Sequence, residues 1–325
     1  MKPFLSVAAL VALMSVASAE APRIARFSGD RAAAISYTFD DGLRDQYTLA
    51  VPMLNEVGFK GTFFVIPKSV AATVEDAEKR KDDKRAWGTI TWDELRKMAA
   101  QGHEIGSHTW SHTGVTKQTP EQVEEELVKS RDAIAKEIGR PPLTLAFPFN
   151  QTTPEITAAA LKHYIACRDS QLGVGGERST VEWLDKWTDQ QVRDHKWGVV
   201  MAHAIGSGYS AFTDPEILRT HLQHVKAREK EIWVDTFANV ARYTRERDEA
   251  KLVLAASGKG SATFTLTSGL DAAVFNVPLT IVLDAAGATS AKAERKGGAL
   301  PARVSGGVVQ VDVTPGAEPV TVTWK

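Results

Sequence analysis

Two adjacent carboxylates, Asp40 and Asp41, stand before a glycine in the segment Thr38-Phe39-Asp40-Asp41-Gly42. Placed together at a strand end they repel each other and lose hydration, unless something neutralises one of them. Neighbours in a strand point to opposite faces, but Gly42 permits a sharp turn that lets both reach one pocket. A cation bound to one leaves the other free as a base. An Asp-Asp-Gly surface turn is the simpler alternative for this motif taken alone. Further on, His108-Thr109-Trp110-Ser111-His112 carries two histidines four apart. On a helix they share a face, which suits two imidazoles on one metal, although packing alone could also pair them. With Asp41 they form a His-His-carboxylate set that leaves coordination positions open, as a catalytic site requires.

His203 ends the apolar run Val199-Val200-Met201-Ala202. Such a histidine is often structural. Protonated, it could also deliver a proton to a leaving group, because its ordinary pKa lies near neutrality. Ala146-Phe147-Pro148-Phe149-Asn150 is a strand end turned by proline, an ordinary loop or a source of one backbone N–H for an oxyanion. The single cysteine, Cys167, cannot form an internal disulfide and lies in an apolar run, where it reads as a small hydrophobe.

These residues need elements to position them. Short β-rich runs at Ala34–Phe39, Thr62–Ile66, His103–Ser107, Leu143–Phe147, Tyr164–Cys167, Trp197–His203 and Glu231–Asp235 alternate with amphipathic stretches. Helices are expected at Gln46–Val57, from Thr91, at Thr119–Ile138, Thr153–Lys162 and Pro215–Arg228, and from Thr236. The charged stretch Glu75–Arg85 reads as a solvated loop or helix rather than a binding patch. This alternation implies parallel strands joined by helical crossovers and suggests an incomplete or distorted barrel. The four clusters then fall at the C-terminal strand ends, where barrel active sites gather. After Lys251 no helical pattern continues. Leu252–Leu254, Thr263–Thr267, Leu279–Leu283, Val308–Val313 and Val320–Trp324 read as the strands of a β-sandwich.

The 325 residues are 43% apolar and 24% charged, with net charge −1, so no basic field attracts nucleic acid or anionic membrane. The N-terminus has Lys2, an apolar run from Phe4 to Val16, and Ala17-Ser18-Ala19 before Glu20. This is the pattern of a cleaved signal peptide, and the run is short for a membrane span. The expected organisation is a signal peptide over 1–19, a barrel domain over 20–250 and a β-sandwich accessory domain over 251–325. The expected location is periplasmic or secreted, with no membrane span after cleavage.

Thr38-Phe39-Asp40-Asp41-Gly42 resembles the first signature of the NodB-type polysaccharide deacetylases, carbohydrate esterase family 4. His108-Thr109-Trp110-Ser111-His112 resembles the second, and Met201-Ala202-His203 the fifth. The resemblance runs roughly from Ala32 to Asp235. It implies a distorted (β/α) barrel of the NodB type, here followed by the small all-β domain. It also implies hydrolysis of acetyl groups by a metal-activated water, with Asp40 as general base and His203 as general acid. Asp41, His108 and His112 become the ligands of a divalent metal, Zn²⁺ foremost, with Co, Ni or Mn as alternatives. Phe149 would contribute its N–H to the oxyanion, and Met201 would shape the pocket for the acetyl methyl. The implied partner is an acetylated poly- or oligosaccharide.

The departures are informative. The arginine of the family's third signature, which orients the base, falls on Ala146, while Phe149 and Asn150 replace its tyrosine and glycine. Arg168, at the end of the following strand, is the candidate substitute. The fourth signature is not evident, so the carboxylate partner of His203 is unassigned, with Asp169 one option. Trp110, Tyr209 and Phe212 could stack on sugar rings or simply pack, as could Trp87 and Trp92. Two other readings remain: an amidohydrolase of the same fold acting on a non-carbohydrate, and a catalytically silent carbohydrate-binding protein.

Overall fold

The computed structural model describes residues 21–325; the proposed signal segment lies outside them. Its centre is a curled parallel sheet. Strand order is Ala166–Arg168, Thr144–Ala146, Glu104–Ser107, Thr62–Val65, Ala33–Asp40, Trp197–Ala202 and Leu172–Gly173, with Ile232–Val234 also pairing to Ala33–Asp40. Every pairing in this sheet is parallel. The short Leu172–Gly173 strand is an addition to the expected set, too brief to leave a periodic signal. It and Ala166–Arg168 form the two open edges, so the barrel is incomplete.

Burial explains why the central strand is a continuous apolar run. All eight residues of Ala33–Asp40 are buried, because helices cover the outer face and side chains fill the inside. Helix starts follow local chemistry. Thr91 and Thr119 each form a capping box, with Glu94 and Gln122 respectively. The helix expected from Gln46 begins instead as a wider π-turn over Gln46–Ala50 and becomes α-helical only over Val51–Glu56. An additional helix spans Val181–Arg193. The charged stretch contains a short helix, Val74–Glu78, followed by a loop.

The C-terminal part forms two antiparallel sheets. One has the order Arg23–Ile24, Leu279–Asp284, Val308–Val313, Ala302–Ser305; the other runs Lys251–Gly258, Ser261–Thr267, Gly316–Trp324, Ala291–Arg295, Gly298–Leu300. The first described strand thus pairs with a C-terminal one, Ile24 opposite Ile281. Phe27, Trp233 and Tyr243 share a buried cluster with Phe264, Ile281 and Val311, joining this module to the base of the barrel. No described helix is long and apolar enough to cross a membrane.

Candidate active site

Asp40 ends the central strand and is 2% exposed. A carboxylate so buried needs a charged partner, and Arg168 provides it. Its two terminal nitrogens donate to Asp40 Oδ1 at 2.7 Å and Oδ2 at 2.5 Å. One of them also donates to Thr38 Oγ1 at 2.8 Å, and the guanidinium lies over the Phe64 ring, 5.1 Å from its centroid. Burial alone would raise the Asp40 pKa; the positive field of Arg168, aided by His108 and His203, outweighs it and holds the carboxyl below its ordinary value. Arg168 sits opposite Ala146 in the register of neighbouring strands. The guanidinium therefore reaches Asp40 from the strand next to that of Ala146.

Asp41 takes a left-handed backbone, φ 73°, followed by Gly42 at 66°. These two residues make the turn that carries both carboxylates into one pocket. A non-glycine residue there costs about 1–2 kcal/mol, strain of the kind that collects at functional sites. The second histidine segment is a loop rather than a helix, with Thr109 at φ 64° and His112 at 59°. That irregular path, rather than helical spacing, brings the imidazole centroids to 4.9 Å. His108 Nδ1–H donates to the Ala146 carbonyl at 2.7 Å, which leaves Nε2 free to face the pocket. His108 Nε2 and His112 Nε2 lie 3.5 and 3.4 Å from Asp41 Oδ1.

One ligand atom from each of Asp41, His108 and His112 lies within 4.8 Å of the others. Asp41 Oδ1 is buried without a hydrogen-bond partner. Burial, with His108 close by, pushes the His112 pKa down against the pull of Asp41 and Asp40, favouring the neutral imidazole that binds metal. Two imidazole nitrogens beside an orphaned carboxylate oxygen are a donor set that fits a divalent cation.

A cavity of about 700 Å³ opens over this cluster and is lined by Asp40, Asp41, His108, His112, Met201 and His203, among others. Phe149 and Tyr209 stand on its rim, 60% and 51% exposed. The Phe149 ring lies 4.8 Å from that of His112, and Tyr209 meets His203 edge-on at the same separation. Trp110 is placed elsewhere, in a shallow groove beside helix Pro120–Ile138. Ser111 turns it there, because its N–H and hydroxyl both bond Glu126, at 2.8 and 2.5 Å. Phe212 is core, Trp92 packs against the main core, and Trp87 bonds Ser207. Asp169 lines a different cavity, with Cys167, whose thiol burial pushes up to about 12. Among the described residues no carboxylate bonds the His203 ring.

Several contributors escaped the sequence reading. Gln46 Nε2 donates to the carbonyls of Asp40 (2.6 Å) and His203 (3.0 Å), tying two strand ends together. Asp45 Oδ2 accepts from the N–H groups of Ile205 and Gly206 at 2.6 and 2.9 Å, holding the turn after His203. Lys84 and Arg85 line the cavity. The proximity of Asp45 and Gln46 to the Asp-Asp-Gly turn was the only signal available for them.

Residues 28–166 match the family model described as polysaccharide deacetylase. A gellan lyase from a Bacillus species is 24% identical over 79% of this chain but only 11% of its own length. Peptidoglycan-N-acetylglucosamine deacetylase PgdA of Listeria monocytogenes is 28% identical over 38% of this chain and 22% of its own. A chitin deacetylase of Arthroderma benhamiae is 29% identical over 40% and 32% respectively. The chain thus spans well under half the length of these relatives. A solved Mycobacterium smegmatis protein, provisionally described as a polysaccharide deacetylase, shares the fold with TM-score 0.52, at 15% identity over 70% of this chain and 94% of its own. Over residues 28–166, the chain is thus similar to the polysaccharide deacetylases.

Proposed function

We propose that this chain is a metal-dependent hydrolase that removes acetyl groups, carried on nitrogen or oxygen, from a poly- or oligosaccharide. The observation that carries the reading is the Asp40–Arg168 pair set beside the Asp41, His108 and His112 cluster, with His203 lining the same cavity. A divalent cation held by those three ligands, Zn²⁺ by preference, supplies Lewis acidity toward an acyl oxygen and acidifies water.

Asp40 takes the proton of the water that attacks the acetyl carbonyl. Its Oδ2 lies 3.9 Å from His108 Nε2, so it faces the ligand cluster while Arg168 keeps it ionised and fixed. The Phe149 N–H is the chain's own donor toward the developing oxyanion. His203 protonates the departing amine or alcohol, and Met201 borders the space for the methyl group. Tyr209 and Phe149 offer ring faces to the sugar. Residues 1–19 direct export and are removed, leaving a periplasmic or secreted enzyme with its barrel domain in 20–250 and an accessory domain in 251–325.

The test is acetate release from acetylated xylan, chitooligosaccharides and peptidoglycan by metal-stripped and Zn²⁺-restored protein, with Asp41→Ala as control. Metal-dependent release that the substitution abolishes supports the reading, and the best substrate separates ester from amide. Stoichiometric metal without release from any of them overturns it in favour of a non-carbohydrate amidohydrolase or a binding protein.

A further inference from the structure

The charge on the cavity wall is unevenly satisfied. Asp40 is neutralised by Arg168, and Asp41 faces the two histidines. Arg85 donates through Nε at 2.9 Å, and through a second nitrogen, to Asp82. The remaining cation in the lining is Lys84, whose ammonium has no ion pair among the described residues.

The backbone of Lys84 is held at a defined place. The Tyr209 N–H donates to its carbonyl at 2.9 Å, and its own N–H donates to Asp82 Oδ1 at 3.0 Å. Gly208 makes the approach possible: φ there is 123°, and a Cβ would lie 2.5 Å from the Lys84 oxygen. Trp87 Nε1–H bonds Ser207 Oγ at 3.0 Å, so the loop after helix Val74–Glu78 is fastened at two points to the loop that follows His203. Tyr209 in turn packs on the His203 ring. Lys84 therefore belongs to the side of the cavity where the proposed mechanism releases the sugar, rather than the acetyl group.

We infer that Lys84 selects acidic glycans: it pairs with a carboxylate on the sugar that leaves, or on the residue next to it. This rests on the deacetylase reading of the same site. A lysine is a compact point charge on a flexible stem, which can pair with a carboxylate without the fixed forked geometry that arginine imposes. The carboxylate can come from a uronic acid or from the lactyl group of a muramic acid.

Two matched pairs test the inference. One is acetylated glucuronoxylan oligosaccharide against the same material with its uronate reduced to the alcohol. The other is a peptide-free N-acetylglucosamine–N-acetylmuramic acid oligosaccharide against a chitooligosaccharide of equal length. The wild type should prefer the acidic member of at least one pair by about threefold in kcat/KM, mainly through KM, as expected for an exposed charge pair on the rim. The pair that responds identifies the source of the carboxylate. In Lys84→Gln the ratio should fall to about one, in Lys84→Arg it should be largely kept, and in Lys84→Glu it should invert. Added salt should erode the wild-type ratio. Equal kcat/KM for both members of both pairs, or a preference that survives in Lys84→Gln, overturns the assignment. If no substrate releases acetate, the deacetylase reading fails separately. Calorimetric titration with the acidic and reduced xylan oligosaccharides then decides: tighter acidic binding lost in Lys84→Gln supports the role, and equal or absent binding refutes it.

Discussion

Asp40 and Asp41 are neighbours in sequence but occupy unlike surroundings. Asp40 is buried, bonded twice by Arg168 and held ionised; Asp41 leaves one oxygen without a hydrogen-bond partner beside two imidazoles. Their substitutions should therefore fail differently. Asp40→Asn should retain bound metal and lose about 10²–10⁴-fold in acetate release, while Asp41→Ala should lose both, as read by elemental analysis of the purified variants. Arg168→Ala removes one partner of a buried pair, at a cost of about 3–5 kcal/mol in stability. It should also lower kcat by about 10²-fold with a much smaller change in KM, and Arg168→Lys should restore part of the rate. Unchanged turnover in a folded Arg168→Ala would remove its positioning role. Strain is also concentrated at this scale: Asp41, His112, Phe149 and Asn150 all line the cavity with positive φ.

Short connections hold the strand ends in register. Gln46 bridges the ends of Ala33–Asp40 and the strand before His203, and Asp45 holds the turn beyond. Burial raises the Asp45 pKa against the backbone N–H groups of Gly206 and Ile205. Asp45→Ala should release the turn, lowering kcat/KM about tenfold while metal content is kept; intact kcat/KM would show that the turn holds itself. Helix Phe237–Glu249 carries a different buried acid. Glu246 is 2% exposed, with Oε2 unpartnered, and burial lifts its pKa from 4.5 to about 7 despite Arg242. The folded protein thus holds a proton that the unfolded chain gives up. Stability should fall as pH rises from about 4.5 to 7 and stay lower beyond. Glu246→Gln should match the wild type near pH 4 and exceed it by about 1–3 kcal/mol at pH 8. Denaturant unfolding at the two pH values checks this, and an equal gap at both would refute the titration.

At the scale of the whole molecule, the two β-sheets of the C-terminal part share a core with the barrel's base. Tyr243 of the last barrel helix donates to the Ala25 carbonyl at 2.9 Å, and the strand Arg23–Ile24 pairs with Leu279–Asp284. Segments that precede and follow the barrel therefore meet beneath it, on the side opposite the cavity. Cutting the protein after Ala250 would bare Phe27, Trp233 and Tyr243. The truncated chain should melt more than 10 °C lower than the parent or aggregate, since large apolar patches are not tolerated on a monomer. A soluble fragment with an unchanged melting temperature would show that the module is only tethered.

Much of this was legible in the chain itself. Alternation of β-rich and amphipathic runs dictated a parallel, helix-covered sheet, because a parallel strand cannot follow without a crossover. The Asp-Asp-Gly turn and the paired histidines carried the cluster of Asp41, His108 and His112, since both were compact in sequence. What lay beyond reach depended on contacts between distant segments. That Arg168 meets Asp40 follows from the register of Ala146 and Arg168 on adjoining strands, which no local pattern encodes. Trp110 left the site because Ser111 found Glu126 on a neighbouring helix, and Lys84 entered it because Gly208 let its carbonyl approach. Local chemistry determined which residues could bind metal or move protons. Packing of remote segments decided which side chains surround them, because a cavity wall is assembled from loops whose neighbours are chosen only when the sheet curls.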